Sequence, residues 1–200
     1  MMRVVVVDAG GANLGSVCYA LERLGIAPTI AREASDLDDA ERVILPGVGA
    51  AGPAMACLSA QGLVEPLRRL AVPLLGICLG MQLLYEASEE GEVAGLGLLP
   101  GKVVRMREAA DARVPHMGWN TLADVHDLPL LDGIRAGDHA FFVHGYAVPV
   151  GTDTIATMTH GAAFSAVVQR GTYSGAQFHP ERSAEVGARL LRNFIEGVAA

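Results

Sequence analysis

The run Val4-Val5-Val6-Val7 sets the tightest limit on the fold. Four consecutive β-branched residues project apolar groups to both faces of a strand, so both faces must be covered. In practice that means helices on either side of a parallel sheet. The pattern then recurs. A glycine-containing loop, Ala9 to Ala12, leads into a helical stretch from about Asn13, where Leu14, Val17, Cys18, Leu21 and Leu24 fall at helical spacing before Gly25. Further apolar runs end near Ile30, at Val43-Ile44-Leu45 before Pro46, and at Val72 to Ile77. Helical patterns lie around Pro53, from Leu63 to Leu70, and from Leu79 to Glu86. Strand and helix alternate through this half of the chain, which predicts an α/β fold: an open, mostly parallel twisted sheet with helices on both faces.

The second half changes character. Short runs at Val103 to Met106, Ala140 to Val148, Thr154 to Met158, Ala163 to Val168 and Tyr173 to Phe178 read as strands joined by turns, added to the sheet as antiparallel hairpins. A last helix, about Ala184 to Ile195, has Ser183 at its N-cap position. With no linker, repeat or long charge run, residues 1–200 read as one domain.

Composition excludes several functions. Hydrophobic residues make up 51% and charged residues 18%, enough apolar surface for one large core. A net charge of -7 argues against nucleic acid, whose phosphates need Lys and Arg, and no basic cluster offers a phosphate site. No apolar run approaches the roughly 20 residues of a membrane span, and the N-terminal run is too short for a secretory signal. Cys18, Cys57 and Cys78 form no CxxC and no even set, so they read as reduced thiols in a cytosolic protein. Cys18 and Cys57 lie in apolar helical patterns and read as packing residues.

The chemistry concentrates around Gly76-Ile77-Cys78-Leu79-Gly80, a nucleophile elbow with Cys in the place of Ser. The nucleophile sits on a sharp strand-to-helix turn, so the residues two before and two after it must be small. Amides at the start of the following helix favour an anionic sulfur, and the Leu79 amide is placed to meet a developing oxyanion. The pentapeptide alone leaves open a buried structural cysteine beside packing glycines. A thiol nucleophile needs a base, and the base needs an orienting partner. Of six histidines, only His179 has one in sequence, in His179-Pro180-Glu181. Proline makes the preceding residue extended, and an extended i, i+2 relation would set Glu181 beside the imidazole. Further oxyanion donors can come from Gly47-Val48-Gly49, although glycines after a strand also serve ordinary turns. No cluster has metal-ligand spacing, and Asp124-Val125-His126-Asp127 reads as a polar loop.

Three segments together resemble the class I (triad) glutamine amidotransferases: Pro46 to Gly49, Gly76 to Gln82 through Met81, and Gln177-Phe178-His179-Pro180-Glu181. Met81-Gln82 and Pro115-His116-Met117-Gly118-Trp119-Asn120 resemble the branch of that family serving histidine biosynthesis, as do Asn13-Leu14 and Ser16-Val17. The likeness covers residues 3–195. It implies glutamine hydrolysis with Cys78 as nucleophile, His179 as acid and base, and Glu181 as its orienting partner. It further implies an oxyanion site at Gly47, Val48, Gly49 and Leu79, and a pocket for L-glutamine at Gln82, His144, Gly145 and Tyr146. No cofactor and no metal are called for. The partner implied is a (β/α)8-barrel cyclase subunit forming a heterodimer, met by Asn13, Met117, Trp119, Asn120 and Arg182, with weak activity in its absence. Departures from the family pattern fall at Ala9, Ala12, Gly145 and Arg182. A cysteine peptidase on a similar scaffold would lack Met81-Gln82 and the Pro115 to Asn120 segment. A non-catalytic module would lack one of the three triad residues.

Overall fold

Odd and even residues along the central strands belong to two different cores. In the computed structural model, which describes residues 2–11, 13–109 and 111–197, the first four apolar runs form strands β1 (Val4–Val7), β2 (Thr29–Ala31), β3 (Arg42–Gly47) and β4 (Leu74–Cys78). Val4, Val6, Ile44, Leu75 and Ile77 face one side, where they pack with Val17 and Leu21 of α1 (Leu14–Arg23) and Leu190 and Leu191 of α5 (Ala184–Glu196). Val5, Val7, Val43, Leu45 and Leu74 face the other, against Leu58 of α2 (Ala51–Ala60) and Leu67 of α3 (Val64–Arg68). Each fully buried leucine contributes about 1.5–3 kcal/mol, so covering both faces is what makes the parallel arrangement favourable.

The second half supplies β11 (Thr154–His160), β12 (Ala162–Arg170) and β13 (Tyr173–Ala176) to the same sheet. Among the described residues the order is β11-β12-β13-β4-β3-β1-β2. Pairings from β13 through β2 are parallel, while β11 to β12 and β12 to β13 are antiparallel. The expected sheet with helices on both faces and an antiparallel addition is therefore present. It brings the C-terminal ends of β4 and β13 side by side, with Ser174 opposite Leu75 and Ala176 opposite Ile77.

The remaining strands do not extend that sheet, contrary to the sequence reading. β5 (Tyr85–Ser88), β6 (Val93–Ala94), β7 (Leu99–Arg105) and β10 (Tyr146–Ala147) form a four-stranded sheet. β8 (His116–Thr121) and β9 (His139–His144) pair as an antiparallel ribbon, so the run from Ala140 to Val148 is two strands divided at Gly145. The helix expected over Leu79 to Glu86 ends early, as α4 (Leu79–Leu83). Its last carbonyls are taken over by a distant stretch: Leu96 N–H donates to Leu83 O at 2.7 Å and Leu98 N–H to Leu84 O at 2.8 Å. Pro46 stays within β3 rather than ending it. Pairing with β1 stops at Ile44, which leaves β3 an edge there that tolerates proline.

Candidate active site

Cys78 occupies the turn between β4 and α4 with φ 53° and ψ -110°, a conformation costly for any residue with a Cβ. The surrounding glycines explain how the turn closes. A Cβ on Gly80 would lie 1.7 Å from Leu45 O, and one on Gly76 would lie 2.6 Å from Gly80 O. Side chains at either position would force α4 away from β3 and β4. The two glycines thus hold the helix start against the sheet and hold Cys78 in its strained pose.

His179 leaves the end of β13 with an extended backbone, φ -94° and ψ 98°, as expected before proline. The expected reason for Glu181 lying beside it is wrong. Residues Pro180–Arg182 form a 3-10 turn, and that turn, rather than an extended i, i+2 relation, carries the carboxylate back to the ring. His179 Nδ1 and Glu181 Oε1 lie 2.8 Å apart, with both side chains almost wholly buried. Nδ1 is therefore the donor, which leaves Nε2 free on the cavity that His179 and Cys78 line together. Burial alone would lower the imidazole pKa. The hydrogen bonds and charges of Cys78 and Glu181 outweigh it and push His179 up to about 10. Burial would likewise raise the Glu181 carboxyl, but the bond and charge of His179, helped by Asn13, hold it below its ordinary value.

Two further residues hold this pair. Asn13, expected at a partner interface, donates from Nδ2 to Glu181 Oε1 at 2.7 Å. Ser183 does not cap α5 through its side chain. Its buried hydroxyl donates to His179 O at 2.7 Å and accepts from Phe141 N–H at 2.9 Å, tying the turn to β9. Neither role has a sequence signal, because each depends on residues distant in the chain.

A cavity of about 150 Å³ opens on the sulfur. Val48, Gly49, Leu79, Gln82, His144, Gly145 and Tyr146 line it with Cys78 and His179, so most residues expected at the oxyanion and glutamine sites meet there. Gly47 does not line it. It pairs with Cys78 in the sheet, and a Cβ there would press on Gly80 N at 2.9 Å. Glu90 also lines the cavity, from the short acidic pair Glu89-Glu90, which carries no motif of its own. Its Oε2 accepts the Ala51 N–H at 2.8 Å, at the start of α2. Gln82 donates to Tyr146 O at 2.8 Å and to Gln177 Oε1 at 3.0 Å, so only its oxygen remains for a ligand. His144 Nδ1 also lies 2.8 Å from Tyr146 O, and burial, opposed by that bond, pushes its pKa down to about 3. A larger cavity of about 320 Å³, lined by Arg42, Pro73 and Thr172 among others, sits at the other end of the strands, away from Cys78.

Met117 and Trp119 are exposed on β8, with Trp119 stacked edge-on to Phe141 and the Arg182 guanidinium 5.5 Å from the same ring. Asn120 alternates to the other face and donates to Thr159 O at 2.9 Å. A Cβ on Gly145 would meet only Val114 Cγ1 at 3.6 Å and Pro115 Cβ at 3.9 Å, so that departure leaves room rather than strain. Ala9 is buried in the α2 core, and Ala12 lies outside the described residues. No helix among the described residues is long and apolar enough to cross a membrane.

Comparison with known proteins agrees with this geometry. The family model "Glutamine amidotransferase class-I" matches residues 5–198. The chain is 63% identical over 196 residues to the imidazole glycerol phosphate synthase subunit HisH of Xanthomonas axonopodis pv. citri (strain 306), covering 98% of each chain. It is 60% identical over 200 residues to the HisH subunit of Xylella fastidiosa (strain Temecula1), covering 100% of each. Among solved structures, the fold matches a glutamine amidotransferase (TM-score 0.75, 24% identity, 96% and 97% covered). It also matches PurLQS from Thermotoga maritima (TM-score 0.75, 23% identity, 96% and 97% covered). The chain belongs to the class-I glutamine amidotransferases and, within them, to the HisH subunits of imidazole glycerol phosphate synthase.

Proposed function

We propose that this chain hydrolyses glutamine at Cys78 and passes the ammonia to a (β/α)8-barrel cyclase subunit, which makes imidazole glycerol phosphate and AICAR in histidine biosynthesis. The observation that carries the reading is a buried Glu181–His179 pair at 2.8 Å whose imidazole lines, with a cysteine held in a strained turn, one cavity of about 150 Å³. In this reading Cys78 Sγ attacks the side-chain amide carbon of glutamine. The amides of Leu79 and of the Val48-Gly49 loop donate to the oxyanion; one such donor is worth about 3–4 kcal/mol of barrier. His179 Nε2 gives its proton to the amide nitrogen, the C–N bond breaks, and ammonia departs. Water, deprotonated by the now neutral His179, then splits the glutamyl thioester and returns the sulfur. Glu181 holds the ring and favours its charged form.

The α-ammonium of glutamine needs acceptors, which Gln82 Oε1 and the Glu90 carboxylate supply at the cavity wall. Met117, Trp119 and Arg182 form the surface proposed for that cyclase, a cytosolic partner in a heterodimer. The chain has no basic cluster of its own, consistent with the partner holding the phosphorylated substrate. The test is glutamate release with and without the cyclase. The reading expects slow release by the chain alone and a large rise in the complex. Absence of glutamate release in both would overturn it.

A further inference from the structure

Gln177 is fully buried between the glutamine pocket and the nucleophile, and its amide orientation is fixed from a distance. The carbonyl oxygen of Tyr146 can only accept, so the Gln82 atom 2.8 Å from it must be the amide nitrogen. That same nitrogen lies 3.0 Å from one terminal atom of Gln177, which must then be the oxygen. Gln177 therefore turns its NH2 group toward Cys78 Sγ, 3.8 Å away. The Cys78 sulfur also lies 3.8 Å from Val143 O, which accepts only. A neutral thiol can donate to Val143 O, whereas an anionic sulfur can take bonds only from donors such as Gln177 Nε2 and His179. Hydrogen bonds to charged groups are the stronger ones.

We propose that Gln177 is a positioning residue, acting through Cys78: its amide donates to the sulfur and selects the anionic, attack-ready state. The relay Tyr146 O, Gln82, Gln177, Cys78 also links the wall of the glutamine pocket to the nucleophile. Substrate contact at Gln82 and the state of the sulfur thus share one chain of polarised hydrogen bonds. This inference rests on the glutaminase reading above, but its first test needs no glutamine.

The experiment compares the parent chain, Gln177→Met and Gln177→Glu, each in complex with the cyclase. Alkylation of Cys78 by iodoacetamide is followed by peptide mass spectrometry, and glutamine turnover is measured over a range of concentrations. Gln177→Met fills nearly the same volume without a donor. It is expected to slow both alkylation and kcat by roughly tenfold or more, with KM within about twofold. Gln177→Glu keeps the bond from Gln82 and, once ionised, offers the sulfur only an acceptor. Alkylation in this variant is expected to be at least as slow as in Gln177→Met. Co-elution of each variant with the cyclase in size-exclusion chromatography reports folding, and if Gln177→Met loses it, Gln177→Glu decides. Unchanged alkylation and kcat, or a raised KM with kcat intact, would overturn the proposal. Normal alkylation effects without glutamate release in the parent would instead count against the glutaminase reading.

Discussion

Replacing Glu181 by Gln removes one charge from the buried pair while keeping its shape. Oε1 receives both His179 Nδ1–H at 2.8 Å and Asn13 Nδ2–H at 2.7 Å, while Oε2 is buried without a partner. The oxygen of the new amide must therefore keep the Oε1 position, since its NH2 group would oppose two donors there. Geometry is retained and the bond to the imidazolium loses its charge assistance. That is the difference between about 1.5–3 and about 0.5–1.5 kcal/mol, or roughly 1–2 kcal/mol. Any step that needs the protonated ring should slow by roughly 5–30-fold. Glutamate release by the complex, measured at saturating glutamine across a pH series, reads this directly. The pH dependence of stability follows from the same pair. His179 is raised from 6.5 to about 10 in the folded protein. Its contribution is fully present below about 6.5 and is lost as pH rises through about 10. Glu181 is depressed, so its contribution is present above its ordinary value and is lost as pH falls. Glu181→Gln should flatten both limbs of a Tm-against-pH curve. A variant with parental kcat and an unchanged curve would refute the reasoning.

Other perturbations follow from the packing. Gly80→Ala would place a Cβ 1.7 Å from Leu45 O, so it should yield no soluble native protein, judged by size-exclusion and far-UV circular dichroism. Ser183→Ala strands the Phe141 N–H, at a cost of about 1–3 kcal/mol. That corresponds to a fall of about 3–10 °C in Tm by calorimetry, with reduced glutaminase activity from a loosened His179. Arg42 is a buried guanidinium that donates to Phe194 O at 3.1 Å, to Glu41 O at 2.8 Å and to Gly197 O at the end of α5. Arg42→Met should lower stability by about 2–4 kcal/mol in denaturant unfolding and leave kcat of the folded fraction unchanged.

The parallel half of the fold, and the neighbourhood of Cys78 and His179 at adjacent strand ends, could be read in the sequence because each rests on local rules. A Val4–Val7 run must be covered on both faces, an elbow needs Gly76 and Gly80, and His179 before proline must be extended. What could not be read depends on partners far along the chain. The helix after Cys78 stops at Leu83 because residues 96 and 98 capture its carbonyls. Ser183 looks like a cap but serves His179 and Phe141, 4 and 42 residues away. Asn13 reaches Glu181 across 168 residues, and Glu90 reaches the cavity from a short acidic pair with no motif around it. Val103 to Met106 and Ala140 to Val148 read as strands, but their pairing into a small second sheet and the β8–β9 ribbon does not, since partners such as Val93–Ala94 carry no period of their own.

The proposed chemistry begins at the sulfur of Cys78, in its strained turn. Its most direct test is glutamate release by Cys78→Ala in complex with the cyclase. The expected result is no release above background, with ammonia-dependent turnover of the complex retained. Glutamine-dependent activity equal to that of the parent would contradict it.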